Sequence, residues 1–199
     1  IPMLAKELGF TLKHIGICRD HGEQVEARVH PALIPDSSIL SSVNGVSNAV
    51  MINGDAVDTT LYYGPGAGST PTASSVIADI VEVAKSDKNG YSSLGFPVEK
   101  LCQRKMLDID LVECGFYVRF TVVNETGVLS KITKIMADSA LSIESIIQRD
   151  VEDDSNRVDI VLLSSKTTQS NLSPVLRNIT ELDSVSDEFV ILRVEYLDN

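Results

Sequence analysis

The stretch Gly64-Pro65-Gly66-Ala67-Gly68-Ser69-Thr70-Pro71 carries the strongest local chemistry in the sequence. Glycines let a backbone approach a ligand closely. Ser69 or Thr70 can cap a helix, and Pro71 fits a first helical position. Apolar residues then recur at Ala73, Val76, Ile77, Ile80, Val81 and Ala84, the spacing of one helix face. A glycine turn that opens a helix offers unpaired N–H groups and a partial positive charge, which suits a phosphate or a carboxylate. The spacing is G-x-G-x-G, not the G-x-G-x-x-G of dinucleotide folds, and that fingerprint's βαβ context and acidic partner are missing. On chemistry alone, a tight structural turn and a ligand cradle stay equally open.

A second turn with the same logic is Asn124-Glu125-Thr126-Gly127, ahead of Val128 and Leu129. A zwitterionic amino acid suits such a place: its carboxylate meets the N–H groups and its amino group meets an oxygen. An ordinary capping turn is the simpler account of these residues. The remaining chemistry-bearing side chains read as structural. His14, His21 and His30 are spread over two strands and their connecting turn, without the i, i+4 spacing of a helical metal site. Asp55 and Asp58 fit a turn better than an acid–base pair. Cys18 reads as a small core residue. Cys18, Cys102 and Cys114 are odd in number and widely spaced, with no CxxC, so neither a disulfide framework nor a metal site is expected.

Several elements must position these turns. Leu4 to Leu8 reads as a short helix stopped by Gly9. Leu12 to Arg19 and Gln24 to His30 read as a strand pair around the turn Asp20-His21-Gly22-Glu23. In the second of these strands Val25, Ala27 and Val29 point one way and Gln24, Glu26, Arg28 and His30 the other, predicting one wet face. Pro31 and Pro35 are expected to end it. Asn44 to Ile52 and Thr59 to Tyr63 are strand-like, joined through Asn53-Gly54-Asp55. Residues 86 to 115, opening on Ser86-Asp87-Lys88-Asn89-Gly90 and including Leu94-Gly95-Phe96-Pro97, read as a linker. From Phe116 onward the order is β-α-β-β-α-β, the ferredoxin-like arrangement. Its strands are Phe116–Val123, Leu141–Gln148, Arg157–Leu163 and Phe189–Tyr196. The middle two are separated by the acidic turn Glu152-Asp153-Asp154-Ser155-Asn156. Leu129, Ile132, Ile135 and Met136 mark its first helix. Leu172, Val175, Leu176, Ile179 and Leu182 mark its second, which should begin near Ser170 so that Pro174 falls in the first turn.

Composition narrows the function. The chain has 199 residues, 43% of them hydrophobic and 5% aromatic, with no Trp, so its cores rest on Val, Ile, Leu and Ala. With 28 acidic and 17 basic residues the formal net charge is -11, which repels nucleic acid and anionic membrane surfaces. No apolar run approaches the roughly 20 residues that span a bilayer. The start, Ile1-Pro2-Met3-Leu4, has no signal-like pattern. These features predict a cytoplasmic chain, and the start on Ile1 within a helix-like stretch suggests a piece of a longer protein.

A resemblance then joins the separate signals. Val25-Glu26-Ala27-Arg28-Val29-His30-Pro31, Leu33-Ile34-Pro35, Val43 to Val50, Gly54-Asp55-Ala56-Val57 and Tyr63 to Ser74 together resemble bacterial homoserine dehydrogenase, in its order and spacing. Residues 116 to 199 resemble the ACT domain that follows the catalytic domain in many such enzymes. The fold implied is α+β or α/β. Residues 1 to 85 would be the C-terminal part of the catalytic and dimerisation domain, a mixed sheet with helices. Residues 86 to 115 would be a linker, and 116 to 199 a regulatory ACT domain.

The implied activity is reversible hydride transfer between NAD(P)H and the aldehyde of aspartate 4-semialdehyde, giving homoserine on the route to threonine, methionine and isoleucine. Gly64, Gly66, Ala67 and Gly68 would lie beside the NAD or NADP cofactor. Catalytic residues are expected upstream of Ile1, so the chain alone should be inactive. The ACT resemblance implies an allosteric site at Asn124, Gly127, Val128 and Leu129, with threonine as the expected ligand. The family's usual Asp-Arg-Pro-Gly is replaced there by Asn124-Glu125-Thr126-Gly127. A homo-oligomer is expected, with a small-molecule substrate and neither nucleic acid nor membrane as partner. The alternative is a stand-alone amino-acid-binding or assembly module without catalysis.

Overall fold

The computed structural model describes residues 2–85, 98–150 and 156–197. The expected linker residues 86–97, and residues 152–155 of the expected acidic turn, lie outside them. Contacts group the chain into two compact units: Ile1–Asp36 together with Lys105–Asn199, and Ser37–Arg104.

The first unit begins with α1 (Pro2–Glu7). It stops at Gly9, whose φ of +80° is open to glycine without the Cβ penalty that other residues meet. The chain then runs through β1 (Phe10–Asp20) and back along β2 (Gln24–Pro35), antiparallel from Phe10 opposite Pro35 to Asp20 opposite Val25. Gly22 at the tip has φ +78°, and its N–H donates to Asp20 Oδ1 at 2.7 Å.

The strand does not end at Pro31, as the prolines had suggested. Pro31 pairs with His14, and the pairing of β2 on its other side is confined to its two ends. Pro31 therefore sits at a locally unpaired edge, where a missing N–H is tolerated.

The ferredoxin-like unit follows as β6 (Cys114–Val123), α3 (Val128–Asp138), β7 (Ile143–Asp150), β8 (Arg157–Thr167), α4 (Gln169–Thr180) and β9 (Val185–Val194), after a two-residue β5 (Lys105–Met106). Its strands lie in the order β9-β6-β8-β7, and the β1–β2 hairpin continues the same sheet beyond β9. The first 36 residues thus pack with the last block rather than with residues 37–85. The cause is the free edge of β9, which accepts β2 in parallel, with Ala32 opposite Arg193 and Leu33 opposite Val194. A parallel pairing between distant segments leaves no local trace in composition.

Two apolar layers hold the sheet. On one face Phe116, Val118, Phe120, Ile160 and Leu162 pack under Ile132 and Met136 of α3 and Leu172, Leu176 and Ile179 of α4. On the other, Tyr117, Val161, Leu163 and Val194 pack against Ala5, Phe10 and Leu33 from the N-terminal segment. The alternation of β6 supplies both, odd residues to one side and even to the other. Thr168 caps α4 through its side-chain oxygen, which accepts from Asn171 N–H. Pro174 therefore stands one turn into the helix rather than in its first turn.

The second unit contains an antiparallel pair, β3 (Ser47–Gly54) and β4 (Asp58–Pro65), followed by α2 (Ser69–Lys85). Asp58, at φ 53°, closes the hairpin turn, which accounts for Asp55 and Asp58 as turn residues. None of the residues of α2 is buried.

Leu33→Ala should lower the stability of the first unit by about 2–5 kcal/mol, because it opens a cavity where the hairpin meets the sheet. Urea denaturation followed by far-ultraviolet circular dichroism checks this. A loss under about 1 kcal/mol would mean that Leu33 is not a core residue.

Candidate functional site

The glycine turn links β4 to the start of α2. The helix begins at Ser69, so Gly68 (φ +117°) precedes it and Pro71 is its third residue, not its first. Pro71 is still within the turn whose N–H groups have no helical acceptor. Gly66 donates its N–H to Val46 O at 2.9 Å. A Cβ at Gly66 would collide with the side-chain amide of Asn48 on β3. Gly66 is thus glycine for packing within its own hairpin. Pro65 to Thr70 are exposed and Gly64 is half-buried. Ala67 and Gly68, with the first amides of α2, are the part of the turn an anion can reach.

The second turn lies between β6 and α3. Asn124 N–H donates to Asn156 O at 2.9 Å, and Glu125 N–H to Val123 O at 2.9 Å. Gly127 precedes α3 with φ +95°, a left-handed conformation. Val128 is buried and can offer only backbone to a ligand, Leu129 is half-buried against the core, and Asn124 to Gly127 are exposed. The four expected residues are together at one helix start.

A third cluster was not expected. Glu26 and Arg28, assigned from sequence to a wet face of β2, are buried, whereas Val29 is 72% exposed. The inversion follows from Glu195, just beyond β9, which is itself buried. Arg28 Nη2 donates to Glu195 Oε2 at 2.9 Å, Nη1 also donates to Glu195, and Nε donates to Glu26 Oε1 at 2.7 Å. One guanidinium thus satisfies two buried carboxylates, a geometry that lysine lacks. His21 Nε2 lies 3.0 Å from Glu26 Oε2, and His30 Nε2 lies 2.7 Å from Arg28 Nη1. Arg19 adds a partly exposed positive charge 3.6 Å from Glu26.

Burial works against the charge on Glu26, but His21, Arg28 and Arg19 outweigh it and hold the carboxyl below its usual range. Burial also opposes the charge on Arg28, and Glu195 and Glu26 outweigh it, raising the guanidinium pKa. His30 is pushed down by burial and by the Arg28 and Arg193 charges, against the pull of Pro31 O and Glu195.

His14 and Cys18, by contrast, are exposed, so Cys18 is not the core residue its strand position suggested. Cys114 is the buried thiol, its pKa raised by burial despite the nearby Arg193 guanidinium. Among the described residues no group of His, Cys, Asp and Glu could hold a metal ion. Among them, too, no helix is long and apolar enough to cross a membrane.

Comparison with known proteins gives these turns a family. Residues 3–81 match the family model described as homoserine dehydrogenase, and residues 116–183 match that of the ACT domain. Residues 3–81 belong to the homoserine dehydrogenase family, and residues 116–183 are an ACT domain. Homoserine dehydrogenase from Pseudomonas aeruginosa is 38% identical over 197 residues, which are 97% of this chain and 45% of that protein. The Bacillus subtilis enzyme is 36% identical over 191 residues, 96% of this chain and 44% of its own length. The crystal structure of homoserine dehydrogenase from Thiobacillus denitrificans superposes with a TM-score of 0.86 at 38% identity, covering 98% of this chain and 45% of that one. The chain thus spans about 45% of the length of the relatives it matches. The glycine turn falls inside the homoserine dehydrogenase segment and the Asn124–Gly127 turn inside the ACT domain.

His30 generates a pH dependence. Its pKa is depressed in the folded chain, so its contribution to stability is complete above the unfolded value near 6.5 and is lost as pH falls below it. His30→Gln, which keeps an acceptor for Arg28 without a titrating group, should flatten stability between about pH 5 and pH 7. An unchanged slope in denaturation midpoints across that range would rule out His30 as the source. Gly127→Ala should cost roughly 1 kcal/mol in thermal or urea stability through its left-handed backbone alone, since a Cβ there meets nothing within 4 Å. No loss would show that the turn relaxes freely.

Proposed function

We propose that this chain is the C-terminal part of an NAD(P)-dependent homoserine dehydrogenase that interconverts homoserine and aspartate 4-semialdehyde, carrying an ACT domain that senses an amino acid. The observation that carries this is identity of 38% maintained across 97% of the chain, through both the glycine turn and the ACT domain.

The nucleotide cofactor, when bound, supplies or accepts the hydride. The fit of this chain to it rests on the open turn ahead of α2. Ala67 and Gly68 and the amides behind them are exposed at a helix start, the arrangement that suits a phosphate. Gly66, where a Cβ would collide with Asn48, lets the turn lie close to β3 and present them. The apolar side chains of Val76, Ile77, Ile80 and Val81 on α2 are exposed as well. Such a stripe calls for a packing partner, which the further length of the relatives would supply. Catalytic side chains are assigned to that same remainder, and the enzyme is expected to work as a homo-oligomer.

In the ACT domain, Asn124, Gly127 and the backbone of Val128 and Leu129 are the proposed contacts for the effector, with threonine as first candidate. A stand-alone sensor is less well supported. The rear face of the ACT sheet is covered by Ala5, Phe10 and Leu33, which lie in the homoserine dehydrogenase segment.

Mixed with NADPH and aspartate 4-semialdehyde, the purified chain should give no NADPH oxidation above background. Clear turnover would contradict the assignment of catalysis to the remainder. In the full-length enzyme, Gly68→Val should raise the KM for the nucleotide about tenfold or more while leaving threonine binding unchanged. A KM that does not move would remove the turn from the cofactor site.

A further inference from the structure

The seven-stranded sheet is continuous, but its joints are unequal. β1 and β2 pair along their whole length, and β6 pairs with β9 from Gly115 to Val122. Between β2 and β9 the pairing is confined to Ala32 and Leu33 opposite Arg193 and Val194, with Glu195 N–H donating to Leu33 O at 2.8 Å. So short a backbone seam holds a hairpin weakly by itself.

Side chains cross the seam on both faces of the sheet. Leu33 and Val194 cross on the face that packs against α1, within an apolar layer. Arg28 and Glu195 are of opposite parity to those two and so cross on the other face. Their contact is bidentate, both side chains are buried, and the guanidinium is also committed to Glu26.

Further polar contacts flank this one. Arg193, two residues before Glu195, donates to Cys114 Sγ at 3.2 Å and to Ile109 O at 3.2 Å, and it reaches Gln169 Oε1, at the start of α4, at 3.4 Å. At the other end Glu26 meets His21 at the hairpin tip. β9 and the residue after it therefore carry two sets of polar contacts two positions apart: Arg193 reaches α4, and Glu195 leads through Arg28 and Glu26 to the tip of the hairpin.

We propose that the Arg28–Glu195 contact is a clamp that couples the ACT sheet to the β1–β2 hairpin, so that a shift of β9 or α4 is transmitted to the homoserine dehydrogenase segment. A buried ion pair suits this role better than an apolar seam. An apolar contact weakens gradually as two elements slide. A bidentate pair that loses register leaves Arg28 with the Glu26 carboxylate alone and buried Glu195 with only its longer contacts to Arg19 and His30, so intermediate positions are unfavourable. The clamp also joins the two family segments through a residue outside both matches, since Glu195 follows the ACT match that ends at residue 183. Arg28 and Glu195 act here as positioning residues. Their role depends on the packing of the first unit alone, not on the proposed activity or on any effector.

The test is residue-resolved hydrogen exchange on the full chain, comparing amides of β1 and β2 with those of β6 and β8. Glu195→Gln keeps the shape and removes the charge. It should accelerate exchange in β1 and β2 by about tenfold or more, with β6 and β8 changing by less than about threefold. Equal acceleration of both groups would make Glu195 a general stability residue and overturn the clamp. So would unchanged exchange in the hairpin. Arg28→Lys keeps the charge and loses the fork, so it gives a milder version should Glu195→Gln fail to fold. Selective loosening of the hairpin is again expected, and its absence would overturn the proposal.

Discussion

Arg28 is the constraint around which the first unit is arranged. A buried guanidinium requires buried acceptors, and it has two, Glu26 on its own strand and Glu195 just past the last strand of the ACT sheet. Satisfying both fixes which face of β2 turns inward. That choice exposes Val29 and places Leu33 on the opposite face, where it meets Val194 and Tyr117. The hairpin, the rear apolar layer and the end of β9 are therefore one solution to a single electrostatic requirement. Replacing the network with apolar side chains of similar volume need not cost stability; what the charges add is a defined register.

This arrangement changes what the ACT domain is in this chain. The ferredoxin-like order normally leaves one sheet face open, and here α1 and the start of β1 cover it while β2 occupies the edge of β9. The domain matched at residues 116–183 is thus completed by residues from the other family segment. In the second unit the glycine turn stands at the start of a helix with no buried residue. The chemistry proposed for it rests on backbone, on Gly68 and the amides that follow.

Periodicity made the elements readable. The spacing of Leu129, Ile132, Ile135 and Met136 gave α3, and Gly9 and Gly68 marked the ends of segments because few other residues take their φ values. The glycine turn and the Asn124–Gly127 turn were legible as glycine-bearing helix starts; chemistry alone left a structural turn open at the first and favoured a capping turn at the second, and the ligands proposed there come from the resemblance. Pairing at long range was not legible. Glu26 and Arg28 looked wet because a charged residue in an alternating strand is ordinarily solvated. Only Glu195, 167 positions away from Arg28, makes the opposite face the inner one. Cys18 failed for the same reason: its face of β1 turned outward with the rest of the hairpin. The one available cue was that Glu195 follows directly on the run Phe189 to Val194, apolar except for Arg193.

The account stands on the seam between β2 and β9. Nuclear Overhauser contacts between backbone protons of Ala32–Leu33 and Arg193–Glu195 in the isotopically labelled chain test it most directly. The parallel register predicts cross-strand contacts linking Ala32 with Arg193 and Leu33 with Val194 and Glu195. If those contacts are missing while the contacts between β6 and β9 are present, the hairpin is not part of the ACT sheet, and the account is wrong.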